Sequence, residues 1–391
     1  MRAQTPRGVK DLLPADVQWK QQLEAAIRQE FRSWGYHEVA TPTFEFFETF
    51  NRGQATFEQA YTFLDQDGQL LALRSDLTTP IARMVASRLR RAPKPLRLAY
   101  AANTFRYDSS HVGGGRERCQ AGAELVGTGS SSADAETIAF ASALLASLGV
   151  AEVQFDIGHV QFFHSLMQDC HSKTDRVSIR QALIQQDYVG LQRVVRASGL
   201  PEQTKDLLCD TDRLRGGPEV IDYVRQRTDC AEAWVALDNL SEIYRTTEAY
   251  GAASQLHIDL SMVKTLDYYT GMVFEGCAPQ MGSMLVSGGR YDGLHAQFGE
   301  DLPAVGFALE LEAAMQILEA QGRRPKLTQD TVFAAGDDHS LVVKYAAEQR
   351  AAGRSVEVDV DGLSLAEAQH RAAERGLVHG VYISQSGLRT W

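Results

Sequence analysis

The sequence has little cysteine and no long apolar run. Its 391 residues include five cysteines, which are scattered singly and show no CxxC spacing of the kind that binds zinc. The odd number argues against a disulfide framework. No run of about 18 apolar residues occurs, so we expect no membrane span. The amino-terminal segment lacks an apolar signal region, which predicts a cytoplasmic protein. We expect neither a metal nor a cofactor.

Positive charge is also scarce. The chain has 39 lysine and arginine residues against 50 aspartate and glutamate residues, a formal net charge of −11. One dense basic cluster lies between Arg83 and Arg97. It is short and has no interleaved aromatic residues, so we interpret it as a solvated helix end and not as a phosphate-binding surface. The charge balance therefore argues mildly against a nucleic-acid partner.

Apolar periodicity predicts a protein that mixes helices and strands. Apolar residues recur at helical spacing over 16–34, and the triplet Ser130–Ser132 predicts the start of a helix that runs to about Leu148. The Asp-Gly pair at 67–68 predicts a tight hairpin. The other predicted strands read HEVATPTFE, LRLAYAANTFRYD, RCQAGAELVG, VQFDIGHV, HIDLSM, MVFEG and MLVSG.

The pattern divides the chain into two domains. Residues 1–322 form the first, and the charged, helical stretch from about 166 to 249 interrupts its strands, which predicts a helical insertion. A helix from about Glu310 to Ala320 closes this domain. After a polar linker, residues 328–391 alternate strand and helix, which predicts a small parallel sheet.

Five segments resemble, in order, the motifs of histidyl-tRNA synthetases, which are class II enzymes. They read RGVKDLLP, FRSWGYHEVATPTFE, LRSDLTTPIAR, FRYDSSHVGGGRERCQAGAE and LDYYTGMVFEG. The resemblance covers nearly the whole chain. It implies an α+β fold in which helices flank an antiparallel sheet, and a dimer formed through the segment that contains Pro42. It also implies that the small α/β carboxy-terminal domain is a truncated form of the synthetase's anticodon-binding domain.

Polar residues within these segments suit the two charged groups of free histidine. An ammonium group needs an acid and a hydroxyl, and Asp76 and Thr78 are two residues apart, so they could share a strand face. A carboxylate needs a guanidinium or an amide, and Arg106 and Gln120 are candidates.

A second set of residues suits the imidazole. The resemblance implies that Glu124 and Tyr269 bind the two ring nitrogens, beside Tyr268, and that Arg290 and Tyr291 wall the site. Gln120 and Glu124 are four residues apart on one predicted strand, so their side chains share a face. The alternative is that each of these polar groups only satisfies a hydrogen bond on a sheet face.

The chain departs from the synthetase pattern where the enzyme holds ATP. Ala313 stands in place of an arginine, Glu310 in place of a glycine, and Lys264 in place of a second arginine. Asp108 and Gly114 replace an acidic and a basic residue of another motif. Adenylation needs positive charge around the triphosphate, so these changes predict that the chemistry is lost.

A chain that keeps the amino-acid pocket but lacks the residues for adenylation resembles the regulatory subunits of ATP phosphoribosyltransferase, a family related to the synthetase. The resemblance implies a non-catalytic subunit of a glycosyltransferase complex, which carries out the first step of histidine biosynthesis. The expected partners are a short-form catalytic subunit, a second copy of the chain and L-histidine as feedback ligand, with no tRNA and no membrane. The inhibitory histidine could occupy the pocket or a subunit interface. The alternative functions are a divergent histidyl-tRNA synthetase and another histidine-activating ligase.

Overall fold

The chain folds into two units, Met1–Arg324 and Pro325–Trp391. The structure is a computed structural model that describes residues 4–52, 60–107, 115–150, 152–252, 255–264, 268–279, 283–325 and 330–391. Within these ranges, no helix combines the length and the apolar character that crossing a membrane requires.

The first unit contains the following elements. Its strands are β1 (His37–Glu38), β2 (Phe44–Phe46), β3 (Thr62–Leu64), β4 (Leu70–Leu73), β5 (Leu96–Phe105), β6 (Glu117–Val126), β7 (Gln154–His159), β8 (Arg215–Gly216), β9 (Leu256–Asp259), β10 (Met272–Ala278), β11 (Ser283–Arg290) and β12 (Ala304–Glu310). Its helices are α1 (Pro14–Ser33), α2 (Phe47–Arg52), α3 (Thr78–Arg88), α4 (Ser131–Ser147), α5 (Val160–Leu166), α6 (Lys173–Ile184), α7 (Tyr188–Ala197), α8 (Glu202–Cys209), α9 (Glu219–Arg225), α10 (Ala231–Ala249) and α11 (Leu311–Ala320).

A large sheet with the order β1-β5-β6-β12-β11-β10-β7-β9-β8 forms the centre of this unit. The pairings from β5 to β7 are antiparallel, which confirms the predicted fold class. Two pairings nearer the ends, β1 with β5 and β7 with β9, are parallel, so the sheet as a whole is mixed. Strand β12 was not predicted. This central strand buries residues on both faces, so it lacks the alternation that marks a half-exposed strand.

The helix predicted over 16–34 is α1. It buries Trp19, Leu23, Ile27 and Phe31, the residues whose spacing predicted it. At its end, the ring of Trp34 stacks on Phe140 of α4 with ring centroids 5.0 Å apart. The predicted start of α4 is also confirmed, because the Ser130 side chain accepts a hydrogen bond from the Ala133 amide.

A small sheet with the order β2-β4-β3 lies outside the large one. The single strand predicted for HEVATPTFE is wrong, because this segment divides into β1, which pairs with β5, and β2, which pairs with β4. Pro42 lies between them, and it has no amide hydrogen with which to continue a ladder. The predicted hairpin is confirmed: the Asp65 carboxylate accepts hydrogen bonds from the amides of Asp67 and Gln69, and Gly68 has a φ of 77°.

Helices α6 to α10 occupy the segment in which the helical insertion was predicted. The insertion is fixed to the large sheet through β8, which pairs with β9. The Arg215 guanidinium adds a salt bridge of 2.7 Å to the buried Asp259 carboxylate. The insertion therefore packs against the chain shortly before Tyr268 and Tyr269.

The second unit is a four-stranded sheet with two helices. Its elements are β13 (Thr331–Gly336), α12 (His339–Ala351), β14 (Ser355–Val358), α13 (Leu365–Glu374), β15 (His379–Ser384) and β16 (Gly387–Thr390). Strand β13 pairs in parallel with β14 and β15, as predicted. Strand β16 was not predicted. It pairs antiparallel with β15 and is fully exposed, so no apolar alternation marks it.

Candidate functional site

A cavity of about 260 Å³ lies against strands β6, β11 and β12 of the large sheet. Polar and aromatic side chains dominate its lining. They include all the predicted binding residues except Arg290, namely Asp76, Thr78, Arg106, Gln120, Glu124, Tyr268, Tyr269 and Tyr291. The structure therefore brings together residues that are far apart in the sequence, since 215 positions separate Asp76 from Tyr291.

Strand β6 supplies the floor of the cavity. Because successive side chains of a strand alternate, Gln120 and Glu124 face the same side. Across the ladder, Glu124 lies opposite Gly306 and Gln120 lies opposite Glu310. A Cβ atom on Gly306 would lie 1.7 Å from Glu124 Oε2. The glycine thus leaves the space that the Glu124 carboxyl group fills.

Glu124 is buried and held by two hydroxyl groups. Thr78 Oγ1 donates to Glu124 Oε1 at 2.7 Å, and the Tyr291 hydroxyl donates to Oε2. Burial raises the pKa of Glu124 to about 8, although the two hydrogen bonds oppose this shift; the nearby Asp76 adds to it. In the ligand-free protein at neutral pH, Glu124 is therefore mostly protonated.

Three tyrosines form an aromatic wall beside Glu124. The ring centroids of Tyr268 and Tyr269 are 4.7 Å apart, and those of Tyr268 and Tyr291 are 5.9 Å apart. Burial raises the pKa of all three phenols above the usual range. They therefore remain neutral hydroxyl groups that can donate or accept hydrogen bonds.

Asp76 and Thr78 line the cavity from the start of a helix. The expectation that they share a strand face is wrong, because Thr78 is the first residue of α3. Asp76 Oδ1 accepts a hydrogen bond of 2.7 Å from the Thr79 amide, and the Ser75 hydroxyl donates to Oδ2 at 3.4 Å. Arg106 Nε donates to the Ser75 carbonyl at 2.7 Å, which fixes the guanidinium at the cavity. Asp76 thus supports the helix start as well as the cavity wall.

The lining residues that were not singled out as ligands include Arg118, Tyr100 and Glu310. Arg118 lies two residues before Gln120 on β6, so the period of two could have indicated it. Tyr100 lies on β5 opposite Gly122, and Glu310 lies on β12 opposite Gln120. Their positions depend on strand register, which a single sequence does not give.

Arg290 does not line the cavity, so its predicted role as a wall is wrong. Its buried guanidinium forms a salt bridge with Asp134 at 2.7 Å and a second with Asp292 at 3.0 Å. It also donates to the carbonyl oxygens of Thr128 and Ser130. Burial raises the pKa of Asp134 to about 6, although Arg290 opposes the shift. Arg290 therefore links β11 to the start of α4 through these contacts.

A second cavity of about 650 Å³ adjoins the first and shares Arg118, Met284 and Glu310 with it. Ala313 of α11 lines it, at the position where the resemblance leads one to expect an arginine. The carboxylates of Glu117, Glu310 and Glu312 also face it, opposed by Lys10, Lys20 and Arg118.

Lys264 does not replace the missing arginines. It is buried, and its ammonium is bound to the Glu275 carboxylate at 2.5 Å and to the Phe274 carbonyl at 3.3 Å. Burial lowers its pKa. It lines neither cavity. The second cavity therefore offers a triphosphate as many carboxylates as cations, three of each, with no guanidinium at either replaced arginine position. In the described parts of the chain, no group of three His, Cys, Asp or Glu side chains is arranged to hold a metal ion.

The basic cluster of residues 83–97 is partly neutralised within the fold. Three of its five arginines pair with glutamates, as Arg83 with Glu45, Arg90 with Glu300 and Arg97 with Glu136. Lys94 Nζ donates to three carbonyl oxygens, including that of Leu89 at 3.0 Å, just beyond the end of α3. These contacts agree with the interpretation of the cluster as a helix end.

Comparisons with known proteins support the resemblance to histidyl-tRNA synthetases and to the related regulatory subunits. The family model described as histidyl-tRNA synthetase matches residues 8–314. The chain is 42% identical over 381 residues to the ATP phosphoribosyltransferase regulatory subunit of Moorella thermoacetica, covering 96% of both chains. It is 37% identical to the protein of that name from Desulforamulus reducens, covering 97% of this chain and 96% of the relative.

Solved structures show the same architecture. A Bacillus halodurans protein described as an ATP phosphoribosyltransferase regulatory subunit/histidyl-tRNA synthetase is 31% identical, with a TM-score of 0.85, and the match covers 98% of this chain and 97% of that one. A histidyl-tRNA synthetase from Nostoc sp. PCC 7120 has a TM-score of 0.82 at 21% identity, covering 100% of this chain and 97% of that one. At that identity, the second match shows the fold alone.

Proposed function

The chain belongs to the histidyl-tRNA synthetase family, alongside ATP phosphoribosyltransferase regulatory subunits, and on this premise we propose that it is such a regulatory subunit. It acts in histidine biosynthesis by assembling with a short-form catalytic subunit of this glycosyltransferase. It binds L-histidine as a feedback signal and neither activates histidine nor charges tRNA.

The contrast between the two cavities carries this proposal. The first cavity keeps the hydrogen-bonding groups that an amino acid needs, centred on Glu124. The second holds Glu310 and Ala313, where an ATP-dependent enzyme needs positive charge. A protein that binds histidine but cannot stabilise a reacting triphosphate is suited to sensing histidine.

In the proposed complex, the imidazole lies against the aromatic wall. One ring N–H donates to Glu124, and the Tyr269 hydroxyl binds the other nitrogen. Arg106 and Arg118 attract the carboxylate of the ligand. If histidine binds more tightly to the inactive assembly than to the active one, it lowers activity, and linkage requires the catalytic subunit to alter histidine affinity by the same factor.

Glu124 makes the stability of the ligand-free protein depend on pH. Its folded-state pKa of about 8 exceeds the ordinary value of 4.5, so the folded state keeps a proton that the unfolded chain releases. Its contribution to stability is therefore complete below pH 4.5 and is lost as the pH rises to about 8. We expect the melting temperature of the wild type to fall more steeply over this range than that of Glu124→Gln. Calorimetry across the range, with the exposed Glu48→Gln as control, measures the difference.

The same substitution should weaken histidine binding by about 1–3 kcal/mol, because the Glu124 carboxyl group can ionise against a protonated imidazole and form a charge-assisted hydrogen bond, whereas an amide forms only a neutral one. Isothermal titration of L-histidine at pH 7 and 8 measures this. Histidine that binds Glu124→Gln and the wild type equally would show that the imidazole lies elsewhere.

The small sheet supports the proposed dimer. Phe44 and Phe46 of β2 and Phe63 of β3 lie on one face and are 52%, 54% and 40% exposed. The rings of Phe44 and Phe63 are in edge contact at 5.9 Å. Pro42, in the segment through which the resemblance implies dimerisation, is exposed beside them. We propose that a second copy of the chain covers this face, since a two-fold axis pairs a surface with itself.

Replacing Phe46 with aspartate should shift the dimer towards monomer, because a charge then enters the apolar contact. Sedimentation velocity over a range of concentrations measures the change. Val360→Asp is the control, since Val360 is 82% exposed in the other unit and should leave the mass unaltered. A Phe46→Asp protein that stays dimeric at low concentration would exclude this face as the interface.

A further inference from the structure

Arg180 of α6 donates a hydrogen bond from the helical insertion to the main chain shortly before the tyrosines of the first cavity. Its Nη2 atom lies 2.8 Å from the Lys264 carbonyl oxygen. The buried Lys264 side chain extends this contact to the large sheet, since its Nζ atom binds the Glu275 carboxylate at 2.5 Å and the Phe274 carbonyl oxygen at 3.3 Å. Lys264 therefore connects α6 with β10.

The ion pair of Lys264 and Glu275 lies beside the tyrosines. Three residues separate Lys264 from Tyr268 in the sequence. Burial raises the pKa of Tyr269, and the Glu275 carboxylate is near enough to add to the shift. Glu275 also lies opposite Ser287 in the ladder of β10 and β11, and Ser287 lines the first cavity. The contact that Arg180 makes with Lys264 therefore reaches the edge of this cavity.

The chain that follows the two tyrosines is held by the large sheet. The Thr270 amide donates to the Arg290 carbonyl oxygen at 2.8 Å, and the Asp292 amide donates to the Thr270 hydroxyl at 3.0 Å. Tyr268 and Tyr269 thus lie between two fixed points, which are Thr270 after them and the residue bonded to Arg180 before them. The first point belongs to the sheet, whereas the second depends on the insertion.

The insertion has a second anchor on the same stretch of chain. Arg215 of β8 forms its salt bridge with Asp259 Oδ2, and Asp259 Oδ1 accepts hydrogen bonds from the amide and the hydroxyl of Ser261. This anchor remains when Arg180 is replaced. A variant at Arg180 therefore tests the contact with Lys264 without releasing the whole insertion.

We propose that Arg180 is a positioning residue for the histidine pocket, because its hydrogen bond to the Lys264 carbonyl holds Tyr268 and Tyr269 where the imidazole binds. The assignment rests on the proposed function, in which the first cavity takes free L-histidine. A pocket whose rings are already in place spends less binding free energy on ordering them. The helical insertion thereby sets the histidine affinity, and linkage requires bound histidine to strengthen the contact between α6 and Lys264 in return.

A double-mutant cycle tests this role. Isothermal titration of L-histidine compares the full-length wild type, Arg180→Ala, Tyr269→Phe and the variant that carries both substitutions. We expect Arg180→Ala to weaken histidine binding about three- to tenfold, the range of one hydrogen bond. In the Tyr269→Phe background the same substitution should weaken binding less than about twofold, because the hydroxyl that Arg180 positions is already absent.

Arg176→Ala is the matched control. Arg176 lies four residues earlier on α6, and its Nε atom donates to the Cys170 carbonyl oxygen, so it makes the same type of bond away from Lys264. Its replacement should change histidine affinity by less than about twofold. Equal losses of affinity in Arg176→Ala and Arg180→Ala would overturn the proposed role.

A loss caused by Arg180→Ala that is the same with and without Tyr269→Phe would also overturn it, since Arg180 would then act independently of the tyrosine. Arg180→Lys keeps a donor and should lose less affinity than Arg180→Ala. It provides the same cycle if the alanine variant does not fold, which the melting temperature of each variant shows. Failure of the wild type to bind L-histidine would instead remove the proposed function itself.

Discussion

Gly306→Ala should abolish measurable histidine binding and lower the melting temperature. The added Cβ would lie 1.7 Å from Glu124 Oε2 and 2.6 Å from the Ala123 carbonyl oxygen. Glu124 cannot move aside without breaking its hydrogen bonds to Thr78 and Tyr291. We expect overpacking alone to lower the free energy of unfolding by at least about 1–3 kcal/mol. The broken buried hydrogen bonds should lower it further.

Gly293→Ala is the matched control. A Cβ there would have one neighbour, the Thr270 methyl group at 4.0 Å, and the residue is exposed. Thermal unfolding and histidine titration of both variants measure the difference. If Gly306→Ala binds histidine as the wild type does, the close approach between β12 and Glu124 is not part of the native site.

The second large effect concerns Arg290. Replacement by alanine should destabilise the protein by about 3–5 kcal/mol, because it leaves the buried Asp134 carboxyl group without its cation. Burial raises the pKa of Asp134 to about 6 even beside Arg290. Without the guanidinium, the pKa rises further, so the loss should be greatest at neutral pH and should shrink as acid protonates Asp134. Denaturant unfolding at several pH values measures this.

Two comparisons make that prediction specific. Arg225 forms an exposed salt bridge with Asp238, so Arg225→Ala should cost less than about 1 kcal/mol. The double variant Arg290→Met, Asp134→Leu should recover part of the loss, since it removes both buried charges together. Equal effects of Arg290→Ala and Arg225→Ala would contradict the structural role given to Arg290.

Local patterns predicted the elements that have one buried face. The stripe from Trp19 to Phe31 marks α1, and the Asp-Gly pair marks the hairpin between β3 and β4. Strand β12 went unrecognised because it is central and buried on both faces. Alternation of apolar and polar residues indicates a strand with one exposed face, so it does not identify a strand that is buried on both faces.

The site was predictable where the relevant residues lie on one element or in one motif. Gln120 and Glu124 share a strand, and Tyr268 and Tyr269 lie in a segment that resembles a synthetase motif. Arg290 and Tyr291 are adjacent, yet only the tyrosine faces the cavity, because neighbouring side chains point in different directions. The contact of Glu310 with Gln120 depends on the register between β12 and β6, which needs the folded structure.

In the proposed function, this chain regulates a catalytic subunit through histidine bound beside Glu124. The most direct measurement is the activity of a short-form ATP phosphoribosyltransferase catalytic subunit from the same organism, mixed with wild-type chain or Glu124→Gln and titrated with L-histidine. We predict that either chain raises the activity, that histidine lowers it, and that Glu124→Gln requires about tenfold more histidine, the equivalent of about 1.4 kcal/mol. Activity that depends on neither the chain nor histidine would contradict the proposed regulatory function, and identical inhibition curves would place the regulatory histidine outside this pocket.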